Sequence, residues 1–202
     1  MRKIEGGQLL FATHNAGKVE EVALLLAGTG VSVISARDLA LPAPAETETT
    51  FLGNARLKAH AAAQASGLPA LADDSGLCVD ALNGAPGVHT ADWAETPQGR
   101  DFLIAMQKVH AALLSCGAKE PWRARFHATM VVAWPDGHDE VFVGEVEGHL
   151  VWPLRGELGH GYDPMFLPDG ETRTFAEMGL AEKNQMSHRS KAFGAFLAGC
   201  FT

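Results

Sequence analysis

A chain of 202 residues, 47% hydrophobic and 20% charged, is long enough to bury a core and has the balance of a globular protein. Its net charge of −8 opposes broad capture of nucleic acid or of an anionic membrane, so a polyanionic substrate would call for a divalent cation. No apolar run approaches ~18 residues, the start MRKIEGGQLLFATHN lacks the apolar segment of a signal peptide, and Cys78, Cys116 and Cys200 form no paired motif; a cytoplasmic protein with reduced thiols is expected.

In chain order, residues 9–12 read as a short apolar strand that ends in Thr13, His14, Asn15, Ala16, Gly17 and Lys18. A helix pattern then opens, with Val19, Val22, Ala23, Leu25 and Leu26 on one face. Strand, small polar loop and helix form a layout in which free backbone N–H groups and the helix dipole favour an anion. The spacing is not that of a Walker A loop. Residues 31–35 read as a second strand, and 41–50 as a polar, proline-bearing loop carrying Glu46 and Glu48. An alanine-rich helix over 54–66 follows, with Leu57, Ala61 and Ala65 expected inward and Gly67 with Pro69 ending it.

Residues 68–72 then climb as an apolar strand into two adjacent carboxylates, Asp73 and Asp74, with Ser75 and Gly76 expected to turn the chain. Carboxylates at the open end of a buried strand lie where sites form in α/β sheets. Side chains alternate along a strand, so one of the pair faces a ligand or metal while the other braces the loop. Asn83 to Gly87 is a turn, and 101–115 is an amphipathic helix with Phe102, Leu103, Met106, Val109 and Leu113 as its core stripe. Residues 124–134 and 140–147 form a hairpin around Pro135-Asp136-Gly137, which makes the sheet mixed. The glycine-rich stretch 156–168 holds His160, Gly161, Tyr162 and Asp163, a composition that lets a ligand approach the backbone. Lys183 precedes a last helix in which Ser187 is the N-cap. His188 and Arg189 then occupy a first turn whose dipole opposes positive charge, and a broken local rule of this kind marks function.

Four ordered segments together resemble the inosine triphosphate pyrophosphatase family, enzymes acting on non-canonical purine nucleoside triphosphates. They are Thr13-His14-Asn15-Ala16-Gly17-Lys18, Ala72-Asp73-Asp74-Ser75-Gly76-Leu77 with Gly84-Ala85-Pro86-Gly87, Gly161-Tyr162-Asp163-Pro164, and Ser187-His188-Arg189. The resemblance implies an α/β fold with an elongated mixed sheet flanked by helices, in one domain (residues 1–202) of two lobes around a cleft. It implies a homodimer and Mg²⁺-dependent hydrolysis of ITP, dITP or XTP to the monophosphate and pyrophosphate. Carried over by position, Thr13 to Lys18 would hold the triphosphate, Asp74 would bind metal and act as base, and Glu46 would be a second metal ligand. Ser75 and Lys183 would contact phosphate or sugar. His160, Gly161, Tyr162, Asp163, His188 and Arg189 would enclose the base.

That chemistry is sound for these residue types. Carboxylate oxygens suit Mg²⁺, and a carboxylate can orient or deprotonate an attacking water. Arginine offers only donors, which match the oxygen at position 6 of hypoxanthine or xanthine and not the amine of adenine. Three positions depart from the family pattern. Gly53 stands where an acid usually precedes the asparagine, Asp92 where an arginine is usual, and His160 where a phenylalanine is usual. A protein that keeps the nucleotide site and has lost turnover through Asp92 and His160 is the alternative; a nucleic-acid-binding module is disfavoured by the charge.

Overall fold

The apolar runs of the sequence become a six-stranded sheet in a computed structural model of the chain, which describes residues 1–4, 7–13, 19, 22, 23 and 26–201. The strands are β1 (Gly7–Phe11), β2 (Val31–Ser35), β3 (Ala70–Val79), β6 (Trp122–Ala133), β7 (Asp139–Leu150) and β8 (Phe166–Pro168). Their order is β2-β1-β3-β6-β7-β8, with β4 (Glu95–Thr96) and β5 (Gly99–Arg100) forming a separate two-stranded ribbon. β1 pairs in parallel with β2 and β3, whereas β7 and β8 are antiparallel, so the sheet is mixed as expected. The α-helices described over their full span are α1 (Phe51–Ser66), α2 (Phe102–Ser115), α3 (Leu180–Met186) and α4 (His188–Cys200).

The chain divides into two compact units. The first comprises 1–74, 129–143 and 192–202, and the second 75–128 and 144–191. In the first, Ala55, Ala59, Ala62 and Ala63 of α1 pack with Leu10, Ala70, Ala72 and Val131. Small side chains let a helix lie close on strands buried to the backbone. In the second, Ala105, Met106, Val109 and Leu113 of α2 meet Leu77, Val79, Phe126 and Val146.

Both long helices begin on a side-chain cap. Thr50 accepts from Gly53 N, and Asp101 accepts from Leu103 N and Ile104 N. Gly67 ends α1 in the left-handed region (φ 71°), its N–H bonded to Ala63 O.

Four sequence expectations need correction. α1 starts at Phe51, not at 54, because its cap is Thr50. Its buried face is not Leu57, Ala61 and Ala65: Ala61 and Ala65 are exposed and Leu57 is half-buried. A helix made largely of alanine carries no hydrophobic contrast from which a face can be read. Leu103, expected in the stripe of α2, is exposed. Ala23 likewise points outward, although residues 19, 22 and 23 are helical as expected. No described helix is long and apolar enough to cross a membrane.

Candidate functional site

The carboxylate pair sits inside a strand, not at its end. Ser75 and Gly76 do not turn the chain; β3 runs on from Asp74 to Val79. Glycine and serine after the aspartates read locally as a turn, but here they continue β3, a strand that lies between β1 and β6 in the sheet order, so tertiary context overrides the local preference. The alternation expected of the pair holds in burial: Asp73 is half-buried and Asp74 is 8% exposed.

Within the first unit, α1 delivers two polar side chains to Asp74. Asn54, 2% exposed, donates from Nδ2 to Asp74 Oδ2 at 3.1 Å and accepts at Oδ1 from Glu48 N at 3.0 Å. One turn later on the same face, Lys58 donates to Glu46 Oε1 at 2.9 Å and stands 3.9 Å from Asp74 Oδ1. The loop bearing Glu46 is thus pinned to the helix that pins Asp74. Pro42, Pro44, Ala62 and the Lys58 side chain line a largely apolar cavity of about 160 Å³ in the same unit. Neither Asn54 nor Lys58 was singled out in the sequence. The available signal was an asparagine spaced four residues from a lysine in an otherwise alanine-rich helix, since a buried asparagine requires partners.

The departure at Gly53 has a steric explanation. A Cβ there would lie 2.6 Å from Glu48 Cβ and 3.1 Å from Thr50 Oγ1, so the Glu48 side chain fills the space a larger residue 53 would need. Among the described residues no group of three or more His, Cys, Asp or Glu side chains is gathered as a metal cage. Glu46 and Asp74 nevertheless flank the Lys58 ammonium, and two carboxylates fit a Mg²⁺ that keeps waters and takes substrate oxygens. Thr13 lies just beyond β1, its N–H bonded to Phe11 O at 2.7 Å. His14, Asn15, Ala16, Gly17 and Lys18 lie outside the described residues.

Within the second unit, Ser187 caps α4 as expected, its Oγ accepting from Ser190 N at 3.1 Å. His188 follows, buried and stacked on Phe126 with ring centroids 4.9 Å apart and planes 12° apart. Arg189 reaches Ser75 Oγ with Nη2 at 3.4 Å, and its buried Nε has no hydrogen-bond partner among the described residues. Lys183 donates to the carboxylate of Asp163 and lies 5.2 Å over the Phe175 ring. Asp163, 2% exposed, also accepts from His160 N at 2.7 Å. Gly159 must be glycine for two reasons: its φ is +81°, and a Cβ would run into the Asp163 carboxylate.

Tyr162 is buried with its hydroxyl donating to Thr90 O at 2.9 Å, and burial pushes its ionisation well above the usual range. Thr90 Oγ1 in turn accepts from Leu77 N at 2.9 Å, which ties the loop after Gly87 to β3 two residues past Ser75. His160 is exposed and meets Phe102 edge-on at 5.1 Å. Asp92 pairs with His89 Nδ1 at 2.8 Å, both side chains being mostly exposed. They line, with Trp93 and Lys108, an open depression of about 460 Å³.

The model of the Ham1 family matches residues 9–199. The chain belongs to the Ham1 family. It is 61% identical over 200 residues to the dITP/XTP pyrophosphatase of Ruegeria pomeroyi, covering 99% of this chain and 98% of that one. It is 54% identical to the dITP/XTP pyrophosphatase of Gluconobacter oxydans, over 99% of this chain and 94% of that one. Among solved structures, a HAM1 protein from Coxiella burnetii superposes with a TM-score of 0.90 at 35% identity, covering 95% and 96% of the two chains. The Mycobacterium abscessus nucleoside-triphosphatase, a dITP/XTP pyrophosphatase, gives 0.79 at 36% identity over 94% of this chain and 98% of that one. Family membership and the mixed α/β sheet agree with the resemblance carried by the four motifs.

Proposed function

We propose that this Ham1 protein hydrolyses non-canonical purine nucleoside triphosphates (ITP, dITP and XTP) to the monophosphate and pyrophosphate, so that deaminated purines leave the nucleotide pool. The observation that carries the reading is the Asp74 carboxylate, buried, fixed by Asn54 and sharing the Lys58 ammonium with Glu46.

Glu46 and Asp74 would hold Mg²⁺, which when bound supplies charge neutralisation of the polyphosphate and of the departing pyrophosphate. Asp74, its Oδ2 held by the Asn54 amide, would orient or deprotonate the attacking water. Thr13, His14, Asn15, Ala16, Gly17 and Lys18 would bind the triphosphate, with Ser75 and Lys183 contacting phosphate or sugar. Arg189 offers a buried N–H donor that lacks an acceptor among the described residues, which suits the oxygen at position 6 of hypoxanthine or xanthine. His188 is held flat by Phe126, while Gly161, Tyr162 and Asp163 shape the base side and His160 offers an exposed ring for stacking. A homodimer in the cytoplasm, acting on free nucleotides and not on nucleic acid or membrane, completes the proposal.

The purified protein with inosine triphosphate and Mg²⁺ is expected to release pyrophosphate and not orthophosphate. Nucleotide binding without turnover would favour the alternative in which Asp92 and His160 have cost the chain its activity. Asp74→Asn should lower kcat by at least about 10³-fold while the thermal midpoint stays within a few degrees. A fully active Asp74→Asn protein would remove Asp74 from the reaction.

A further inference from the structure

Lys58 is a lysine kept mostly out of water, its side chain 14% exposed. Its ammonium lies 2.9 Å from Glu46 Oε1 and 3.9 Å from Asp74 Oδ1, bridging the two carboxylates assigned to the metal. The two ends of that bridge are unequal. Asp74 is 10% exposed at the side chain and fixed by Asn54; Glu46 is 45% exposed on a loop without regular structure.

We infer that Lys58 is the resident counter-ion of the metal site: in the nucleotide-free protein its ammonium occupies the cationic position between Glu46 and Asp74 and yields it when the divalent ion binds. The inference rests on the reading that Glu46 and Asp74 hold that ion. Three observations support it. A counter-charge offsets the cost of burying a carboxylate, and the Lys58 ammonium stands 3.9 Å from Asp74 Oδ1. Lys58 sits on a flexible four-carbon stem and can withdraw, whereas Asn54, bonded at both ends of its amide, cannot. The Glu46 arm is a half-exposed ion pair, which is weak and opens readily.

The consequence is a coupling between ligands. A metal ion binding alone must displace Lys58, so its affinity is reduced by the competing charge. A polyphosphate bound at the same time gives the displaced ammonium a new anion, so metal and nucleotide each strengthen binding of the other.

Mn²⁺ binding to the nucleotide-free full chain, followed by electron paramagnetic resonance, tests this. A unit charge within 4–6 Å shifts an ionic equilibrium by about one to three decades. Lys58→Met should therefore bind Mn²⁺ about tenfold or more tighter than wild type, whereas Lys58→Arg, which keeps the charge, should not bind it tighter. Equal or weaker binding by Lys58→Met, or equal tightening by Lys58→Arg, overturns the inference. A second measurement needs no variant: in wild-type protein, Mn²⁺ should raise the acetylation rate of Lys58 severalfold and leave that of the exposed Lys119 unchanged. An unchanged Lys58 rate at saturating Mn²⁺ also overturns it. Asp74→Asn separates the two layers. If that variant keeps wild-type Mn²⁺ affinity, the metal assignment itself fails; if it loses affinity while Lys58→Met gains none, only the role of Lys58 fails.

Discussion

Asn54 shows how much one side chain can hold together. Its amide donates to Asp74 and accepts from the Glu48 backbone, so one residue fixes both the carboxylate and the loop bearing Glu46. Asn54→Ala removes the amide partner of the buried Asp74 carboxylate and of the part-buried Glu48 N–H and should cost about 1–3 kcal/mol, read by urea denaturation, with a fall in kcat larger than any rise in KM. Gly159 is the counterpart in the second unit. Gly159→Ala would place a Cβ against the Asp163 carboxylate at a φ of +81°, where the backbone alone costs about 1–2 kcal/mol. The expected loss in urea exceeds that figure, because the pairing of Asp163 with Lys183 must shift as well. A Gly159→Ala protein as stable as wild type would show that the carboxylate moves freely.

At the scale of elements, α1 and α2 begin where a side-chain oxygen meets free backbone N–H groups. Thr50→Ala on α1 and Asp101→Ala on α2 should each lower stability by about 1 kcal/mol, seen as a shifted denaturant midpoint with an unchanged slope. The two losses differ in consequence. α1 carries Asn54 and Lys58, so Thr50→Ala should also lower activity, whereas the Asp101 cap serves a helix whose buried residues are core. β3 makes a related point about context. Ser75 and Gly76 have turn preferences, yet both continue β3, which sets Asp74 and Ser75 as consecutive residues of one strand.

For the whole molecule, stability should depend on acid pH through carboxyls held below their usual range. The Ser35 backbone amide does this for Asp38, the Arg2 and Arg123 guanidinium groups for Asp136 and Asp169, and the Arg2 and Thr174 backbone amides for Glu140 and Glu177. Asp139 differs: burial raises its ionisation, but hydrogen bonds from Arg56 and His60 outweigh burial and lower it. A carboxyl with a lowered folded-state value binds fewer protons folded than unfolded near its ordinary value. Its contribution is therefore complete above about pH 5 and is lost as pH falls through the ordinary and then the lowered values. The thermal midpoint should drop progressively below about pH 5, and Asp139→Asn should flatten part of that drop. A midpoint constant from pH 5 to pH 2 would contradict it.

Much of this protein was legible without coordinates. The apolar runs located five of the six main strands, Gly67 and Ser187 marked a helix end and a helix start, and four ordered motifs identified the family. Those features are local, written in neighbouring residues whose preferences need no distant partner. What the tertiary structure decided was which face an alanine helix buries, whether Ser75 turns the chain, and that Asn54, 20 positions from Asp74, reaches it while Lys58 bridges to Glu46. Those facts depend on how helix and strand pack together, and side chains far apart in sequence acquire a common task only once that packing sets the distance between them.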